Sequence, residues 1–272
     1  MVSVVYMVAG MSSRFGGKIK QFARVGPNNE TLIEVSINQA IKAGFDKIIF
    51  IVGNMTEIPF KEMFKDNYKG LPVFYAKQTF DLNERDKPWG TCDAVVCAKE
   101  LIDENFVVCN GDDIYGENTF KLLFNWIKEK NTPATAGYKL GEVLSEKGTV
   151  NRGIFTVNEE NYLIDIAETL GLDKNNLSSF NLTENNISSQ NIWALRKTDV
   201  KLLEEQLIKF KNSHKGERKM ECYLPTELSN LIKENKIQIK LLIAPDKWLG
   251  VTNPDDEEIA KQQLIEYYKD KM

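Results

Sequence analysis

Histidine and cysteine are scarce in this chain of 272 residues, and their scarcity narrows the chemistry that it can perform. The single histidine, His214, lies in the polar run KNSHKGERK, so we expect it on the surface rather than in a catalytic site. The four cysteines show no CxxC spacing. We therefore expect reduced, structural thiols, and neither a zinc site nor a disulfide framework.

An excess of charge of one sign is also absent. The 35 basic and 39 acidic side chains leave a net charge of −4, which offers no general attraction to nucleic acid or to an anionic membrane. Any phosphate must therefore be held locally. The apolar start, MVSVVYMVAG, lacks the basic n-region of a signal peptide, so we expect a buried first strand and a cytoplasmic protein.

What the chain does have is a regular alternation of apolar runs and amphipathic segments. Short β-rich runs cover residues 2–8, 47–53, 72–78 and 105–110, and helical patterns cover 32–41, 60–68 and 94–102. This alternation predicts an α/β fold with a doubly wound parallel sheet. After about residue 140 the pattern predicts antiparallel or mixed strands in NRGIFTV, NYLIDIAET and QNIWALR, then helices at 199–210 and 224–234, a strand at 237–244 and a helix after Pro254.

The loop after the first strand, Gly10 to Gln21, is rich in glycine, serine and basic residues. In open parallel sheets ligands bind beyond the carboxyl ends of the strands, and small residues let backbone amides approach phosphate oxygens. Arg14 can add a bidentate contact. Neither a P-loop nor a dinucleotide fingerprint fits, because Gly17-Lys18 is followed by isoleucine and no GxGxxG opens a helix. The loop alone leaves two interpretations open, an anion site and an exposed surface loop.

Several motifs occur in a fixed order over nearly the whole chain: AGMSSR, KQF, VGPNNETLIEVSINQAIKAGF, KPWGTCDAV, NGDDIYG and DKWLGVT. Together they resemble the sugar-phosphate nucleotidyltransferases, the NDP-sugar pyrophosphorylase-like family, whose signature is a strand, AGxGxR and a downstream lysine. The resemblance implies a GT-A-like nucleotidyltransferase fold with a mainly parallel, Rossmann-like mixed sheet flanked by helices. We expect one domain over residues 1–272, with a nucleotide-binding half, 1–140, and an acceptor-binding half, 141–272.

The implied activity is the Mg²⁺-dependent reaction of a nucleoside triphosphate with a sugar 1-phosphate or related phosphate, giving an NDP-sugar and pyrophosphate for cell-surface polysaccharide biosynthesis. The implied partners are a nucleoside triphosphate, with a pyrimidine favoured, and a phosphorylated small-molecule acceptor, but neither nucleic acid nor a membrane. A homo-oligomer is left open. Two alternatives also stay open: a cytidylyltransferase acting on a non-sugar phosphate or phosphonate, and a catalytically weak, nucleotide-binding regulatory paralogue.

Matched motif by motif, the resemblance places Arg14 and Lys20 on the triphosphate. Lys20 is chosen because it precedes Gln21 as in the family's KQ, although a residue inserted after Gly17 keeps Lys18 as the alternative. The same loop supplies the other implied nucleotide contacts, Ala9, Gly10 and Ser12.

Two aspartates follow the strand FVVCN after a glycine turn. Attack on an α-phosphorus needs alignment and charge neutralisation, so carboxylates that hold Mg²⁺ at a strand end suit it. By the resemblance Asp112 is the metal ligand, and Asp113 either assists it or caps the helix that begins near Asn118. The family's second metal aspartate, in WxDxGTPE, is Gly250 here; either Asp246 replaces it or one aspartate and the phosphates suffice.

For the base, the resemblance implies Gln78 and Gly90, because a glutamine amide offers both a donor and an acceptor to a base edge. Thr91, next to Gly90, is implied as a further nucleotide contact, and its hydroxyl can also cap the following helix. Trp89 is either a stacking residue or a loop anchor.

For the acceptor, the segments NRGIF, IAET and QNIWAL stand where the family contacts its sugar. The implied candidates are Gly153, Glu168, Asn191 and Trp193. The family's lysine after the glutamate, which neutralises the acceptor phosphate, is Thr169 here. Either Lys247 supplies that charge, or Lys247 is a solvated surface lysine and the acceptor is not a standard hexose 1-phosphate.

Overall fold

The computed structural model describes residues 1–10, 19–145, 148–250 and 261–266, and a mixed sheet organises them. The strands are β1 (Ser3–Met7), β2 (Lys47–Val52), β3 (Asn67–Tyr68), β4 (Leu71–Lys77), β5 (Phe106–Asn110), β6 (Asp113–Ile114), β7 (Ala134–Lys139), β8 (Val150–Val157), β9 (Leu163–Leu172), β10 (Ile187–Leu195), β11 (Lys240–Ile243) and β12 (Leu249–Gly250). The helices are α1 (Leu32–Ala43), α2 (Glu57–Phe64), α3 (Thr91–Cys97), α4 (Glu117–Lys130), α5 (Leu140–Val143), α6 (Asp199–Ser213) and α7 (Leu224–Lys233). Two 3₁₀ helices cover Lys20–Phe22 and Leu177–Phe180, and residues 261–266 are helical.

The sheet has the strand order β11-β7-β10-β5-β1-β2-β4-β3. Strands β5, β1, β2 and β4 are parallel neighbours, and β10 lies antiparallel between β5 and β7. Strand β8 pairs with β10 and β9, while β12 and β6 form a separate two-stranded ribbon. The predicted mainly parallel, mixed sheet is thus confirmed.

Helices cover both faces of the parallel strands, which explains why those strands are apolar throughout. Val4 and Tyr6 of β1 point into a core shared with α1 and α4. Val5 points to the other side, into a core shared with α3, α6 and α7. Because side chains alternate along a strand, a strand buried on both faces reads as a continuous apolar run.

The predicted elements differ from the structure mainly at their ends. The helix expected at 60–68 is α2, which ends at Phe64, and Tyr68 instead lies in β3. His214 is half-buried rather than exposed, because its ring stacks on Phe210 with centroids 4.1 Å apart. All four cysteines are free thiols, as expected. In the part of the chain that the structure describes, we find no helix with the length and apolar character needed to cross a membrane.

Candidate active site

The carboxyl ends of β1, β2, β4 and β5 meet at one edge of the sheet, because these strands run parallel. Ala9 and Gly10 follow β1 there, the first half-buried and the second exposed. The backbones pack closely, since a Cβ on Gly53 would lie 2.8 Å from the carbonyl oxygen of Ala9. Three predicted residues of this loop, Ser12, Arg14 and Lys18, lie outside the described residues.

Lys20 and Asp112 meet at this edge. Lys20 begins the 3₁₀ helix Lys20–Phe22, and its Nζ lies 2.7 Å from Oδ2 of Asp112, which follows β5. The ion pair is partly shielded from solvent, with the two side chains 14% and 33% exposed. The structure therefore brings the predicted cation, Lys20, into contact with the predicted carboxylate, Asp112.

Asp113 lies beside this pair and is buried. Its Oδ2 accepts hydrogen bonds from Asn110 Nδ2 at 2.9 Å and from the Tyr115 hydroxyl at 3.2 Å. Burial, and after it the negative charge of Asp112, raises the pKa of Asp113 to about 7. The N-cap residue of α4 is Gly116, and the hydrogen bonds of Asp113 go to Asn110 and Tyr115 and not to the first turn of the helix, so the alternative role of Asp113 as its cap is wrong.

Gly250, where the family carries its second metal aspartate, pairs directly with Asp113 in the β12–β6 ribbon. A Cβ at this position would lie 2.2 Å from Cζ2 and Cη2 of the Trp248 indole and 3.2 Å from Asp113 Oδ1. The indole thus fills the space of the missing side chain, and the Asp113 carboxylate lies next to it.

Asp246, the suggested replacement for that aspartate, is engaged elsewhere. Its Oδ2 accepts from the backbone N–H of Thr119 at 2.9 Å and its Oδ1 from Asn118 Nδ2 at 3.0 Å. Both donors belong to the first turn of α4, whose N–H groups have no partner within the helix. The carboxylate therefore stabilises the start of α4.

A cavity of about 440 Å³ opens beside the two aspartates, within the usual size range of ligand pockets. Strands β8, β9 and β10, the start of α7 and Trp248 form much of its wall. Six predicted site residues line it: Thr91, Asp112, Asp113, Gly153, Glu168 and Asn191. Residues from both halves of the sequence therefore surround one volume.

Asn191 joins the acceptor side of the cavity to the aspartates. Its Nδ2 donates to Asn110 Oδ1 at 2.8 Å, and Asn110 in turn donates to Asp113. Trp193 is placed differently from the expectation, because its side chain is fully buried against Phe155 and its Nε1 donates to Asn191 Oδ1. Trp193 is thus a core residue that orients Asn191 and not an acceptor contact.

Gln78 follows β4 at the same sheet edge and is buried. Its Nε2 donates to the carbonyl oxygen of Gly90 at 2.9 Å and to Asp93 Oδ2 at 2.8 Å. Both amide hydrogens are therefore engaged within the protein. Only the oxygen of this amide is left to meet a base edge, as an acceptor.

The two residues on either side of Gly90 hold the loop in place. Thr91 begins α3, but its hydroxyl accepts from the backbone N–H of Leu224, so it caps α7 and not α3. The guanidinium carbon of Arg85 lies 3.4 Å from the ring centre of Trp89, which covers one face of the indole. Of its two interpretations, the structure favours Trp89 as a loop anchor.

Arg152 is the cavity residue that the motifs missed. Among the described lining residues it is the only lysine or arginine, and it precedes the predicted Gly153 in NRGIF. Burial lowers its pKa, whereas the nearby carboxylates of Asp113 and Glu168 raise it. Lys247, the predicted source of positive charge, is exposed and is not among the residues that line the cavity.

Comparison with known proteins places this geometry in a family. A family model described as nucleotidyl transferase matches residues 17–168, more than half of the chain. The bifunctional protein GlmU of Methanocaldococcus jannaschii is 27% identical over 208 residues, which cover 76% of this chain and 41% of that protein. The match thus spans less than half the length of that relative.

Solved structures agree with this placement. UDP-glucose pyrophosphorylase from Acinetobacter baumannii has a TM-score of 0.69 at 16% identity, covering 99% of this chain and 98% of that one. The inositol-1-phosphate CTP transferase from T. maritima has a TM-score of 0.67 at 14% identity, covering 98% and 96%. Identities this low establish the shared fold, and the nucleotidyltransferase fold expected from the motifs is confirmed. By its family match and its fold, the chain belongs to the nucleotidyl transferase family.

Proposed function

We propose that this chain transfers a nucleotidyl group from a nucleoside triphosphate to the phosphate of a small acceptor and releases pyrophosphate. The observation that carries the proposal is the meeting of Lys20, Asp112 and Asp113 at the carboxyl edge of the sheet, beside a cavity lined by Glu168 and Asn191. Phosphoryl chemistry needs positive charge and metal-binding carboxylates around the phosphates, and a polar pocket for the acceptor.

Asp112 and Asp113 fit a Mg²⁺ ion. Mg²⁺ prefers oxygen ligands and is usually bound by one or two carboxylates, with phosphate and water oxygens completing its shell. Asp113 is buried beside Asp112, and two neighbouring carboxylates repel each other unless a cation lies between them. No cluster of three or more such ligands occurs among the described residues, so the substrate would have to supply the remaining oxygens. The ion would neutralise charge on the triphosphate.

The protein's part in the reaction is alignment and charge neutralisation. An oxygen of the acceptor phosphate forms a bond to the α-phosphorus while the bond to the bridging oxygen breaks, and the electron pair leaves with pyrophosphate. The Lys20 ammonium, held at 2.7 Å by Asp112, is placed to offset the negative charge of the phosphates. Glu168 and Asn191 offer hydrogen-bond partners to acceptor hydroxyls.

We assign the base to the region of Gln78 and Gly90. An acceptor oxygen on Gln78 suits the N3–H of uracil or thymine and the amino group of cytosine, in keeping with the pyrimidine preference that the motifs imply. A sugar 1-phosphate is the proposed acceptor class. The alternative, a cytidylyltransferase acting on a non-sugar phosphate, is favoured by Thr169 and Gly250, the two departures from the family's motifs.

Pyrophosphate release with Mg²⁺ tests the proposal directly. CTP, UTP, dTTP, ATP and GTP are each combined with sugar 1-phosphates, inositol 1-phosphate and other phosphomonoesters. Release that requires one particular nucleotide and one particular acceptor would support the transferase and identify both substrates. Nucleotide binding without release from any pair would reject it in favour of a regulatory, nucleotide-binding protein.

A further inference from the structure

Arg152 is a cation inside the candidate acceptor cavity, and the described part of the chain gives it no ion pair. Its Nη2 donates to the carbonyl oxygen of Val143 at 2.7 Å and its Nη1 to that of Asn151 at 3.1 Å. Its Nε is buried and finds no hydrogen-bond partner among the described residues. None of the described carboxylates lies within ion-pair distance, so the guanidinium keeps unused donors next to a 440 Å³ cavity. An anion in the cavity would accept from the Nη donors that these two hydrogen bonds leave over.

The strand register places Arg152 opposite Thr169, the residue that follows Glu168. Residues directly opposite in an antiparallel pair have Cβ atoms about 4.5–5.5 Å apart and project from the same face. The long side chain of Arg152 on β8 can therefore place its charge near where a lysine at position 169 of β9 would place its own. Gly153, the next residue, pairs with Glu168, and Arg152 and Glu168 both line the cavity.

The surroundings favour a phosphate as the anion. The Arg152 guanidinium lies 5.1 Å from the ring centre of Trp248, within the range of a cation–π contact. A planar fork of N–H donors matches two oxygens of one phosphate group. Asp112 and Asp113 line the same cavity, so a phosphate held by Arg152 would lie on the side of the metal-binding aspartates.

We propose that Arg152 binds the phosphate of the acceptor, supplying from β8 the positive charge that position 169 of β9 lacks. The proposal rests on the proposed function and extends it by naming the residue that holds the attacking group.

The test uses the full chain and the nucleotide and acceptor pair that gives turnover in the pyrophosphate assay. Losing a charge-assisted contact costs about tenfold or more in affinity. We therefore expect Arg152→Gln to raise KM for the acceptor by about tenfold or more and to leave KM for the nucleotide nearly unchanged. Arg152→Lys keeps the charge, so its KM for the acceptor should lie between those of the wild type and Arg152→Gln. Adding Thr169→Lys to Arg152→Gln should return much of the lost acceptor affinity, which a merely structural role could not explain.

Arg196→Gln is the matched control, because Arg196 lies outside the cavity and pairs with Asp199. It should leave both KM values unchanged. Turnover in the wild type together with an unaltered acceptor KM in Arg152→Gln would overturn the assignment and leave the proposed function standing.

If no pair releases pyrophosphate, the proposed function fails and calorimetric titration with inorganic phosphate decides the assignment. Binding to the wild type that Arg152→Gln abolishes would retain Arg152 as a phosphate ligand. Equal binding by both proteins, or none by the wild type, would overturn it.

Discussion

A side chain added at Gly250 tests whether Trp248 and Asp113 have taken over the place of the family's second metal aspartate. The change is Gly250→Asp, and Gly250→Ala is the matched variant that adds the Cβ without the charge. In the structure this Cβ would lie 2.2 Å from two carbons of the Trp248 indole and 3.2 Å from Asp113 Oδ1. The first distance is far too short for carbon atoms, so the indole must move.

The structure sets the size of the effect. Overpacking of this kind costs about 1–3 kcal/mol, and for a chain of this size that corresponds to a Tm lowered by about 2–12 °C. Gly250→Asp also adds a carboxylate beside Asp113, whose pKa is already raised. Because like charges repel, we expect the aspartate to cost more than the alanine at pH 8 and nearly the same at pH 5.

Thermal unfolding followed by circular dichroism measures both effects, in the wild type and in a Trp248→Ala background. Without the indole the steric cost should largely vanish, so the two changes should show a coupling energy of about 1 kcal/mol or more. Gly250→Asp should not increase Mg²⁺-dependent pyrophosphate release. A Gly250→Asp variant that unfolds at the wild-type temperature and binds Mg²⁺ more tightly would refute the reasoning, because it would show that the position is open to a metal ligand.

Three further predictions concern Asp112, Asp113 and Asp246. Asp112→Asn should lower Mg²⁺-dependent pyrophosphate release by about 10–100-fold or more with an unchanged far-UV spectrum, and retained turnover would contradict its metal role. The metal-free protein should lose stability as the pH rises from about 4 to about 7, because folding raises the pKa of Asp113 from 3.8 to about 7 and the folded state alone holds that proton in this window. Asp113→Asn should flatten this dependence in urea unfolding at pH 5 and pH 8, and equal slopes would show that the carboxyl does not titrate as described. Asp246→Ala should destabilise the fold by about 1–2 kcal/mol through the start of α4 and leave the Mg²⁺ requirement unchanged, whereas a shifted Mg²⁺ optimum would make Asp246 a metal ligand.

The elements with strong local signals could be predicted from the sequence. Strands β1 and β5 are continuous apolar runs because both of their faces are buried, and short runs of this kind are typical of central strands in an alternating α/β chain. The end of α2 could not be predicted in this way. The residues up to Tyr68 continue a helical pattern, but Lys65 has a positive φ of 52° and Tyr68 pairs with Leu71, so a hairpin ends the helix.

The site could be predicted where it depends on strand ends and not where it depends on register. Lys20 and Asp112 follow parallel strands, or the loops after them, and such strand ends meet at one edge. Arg152 was missed because its nearness to the cavity follows from the pairing of β8 with β9, which no local pattern shows. The capping role of Asp246 was missed for a similar reason, since its partner helix lies more than a hundred residues earlier in the sequence.

The two departures from the family's motifs share one structural basis. Position 169 lacks a lysine, and Arg152 stands directly opposite it; position 250 lacks an aspartate, and Asp113 stands directly opposite it. Because residues paired across an antiparallel ribbon project from the same face, a charge can change strands while the site keeps it. One arrangement thus accompanies both departures, and it is in keeping with the proposal that Arg152 binds the acceptor phosphate.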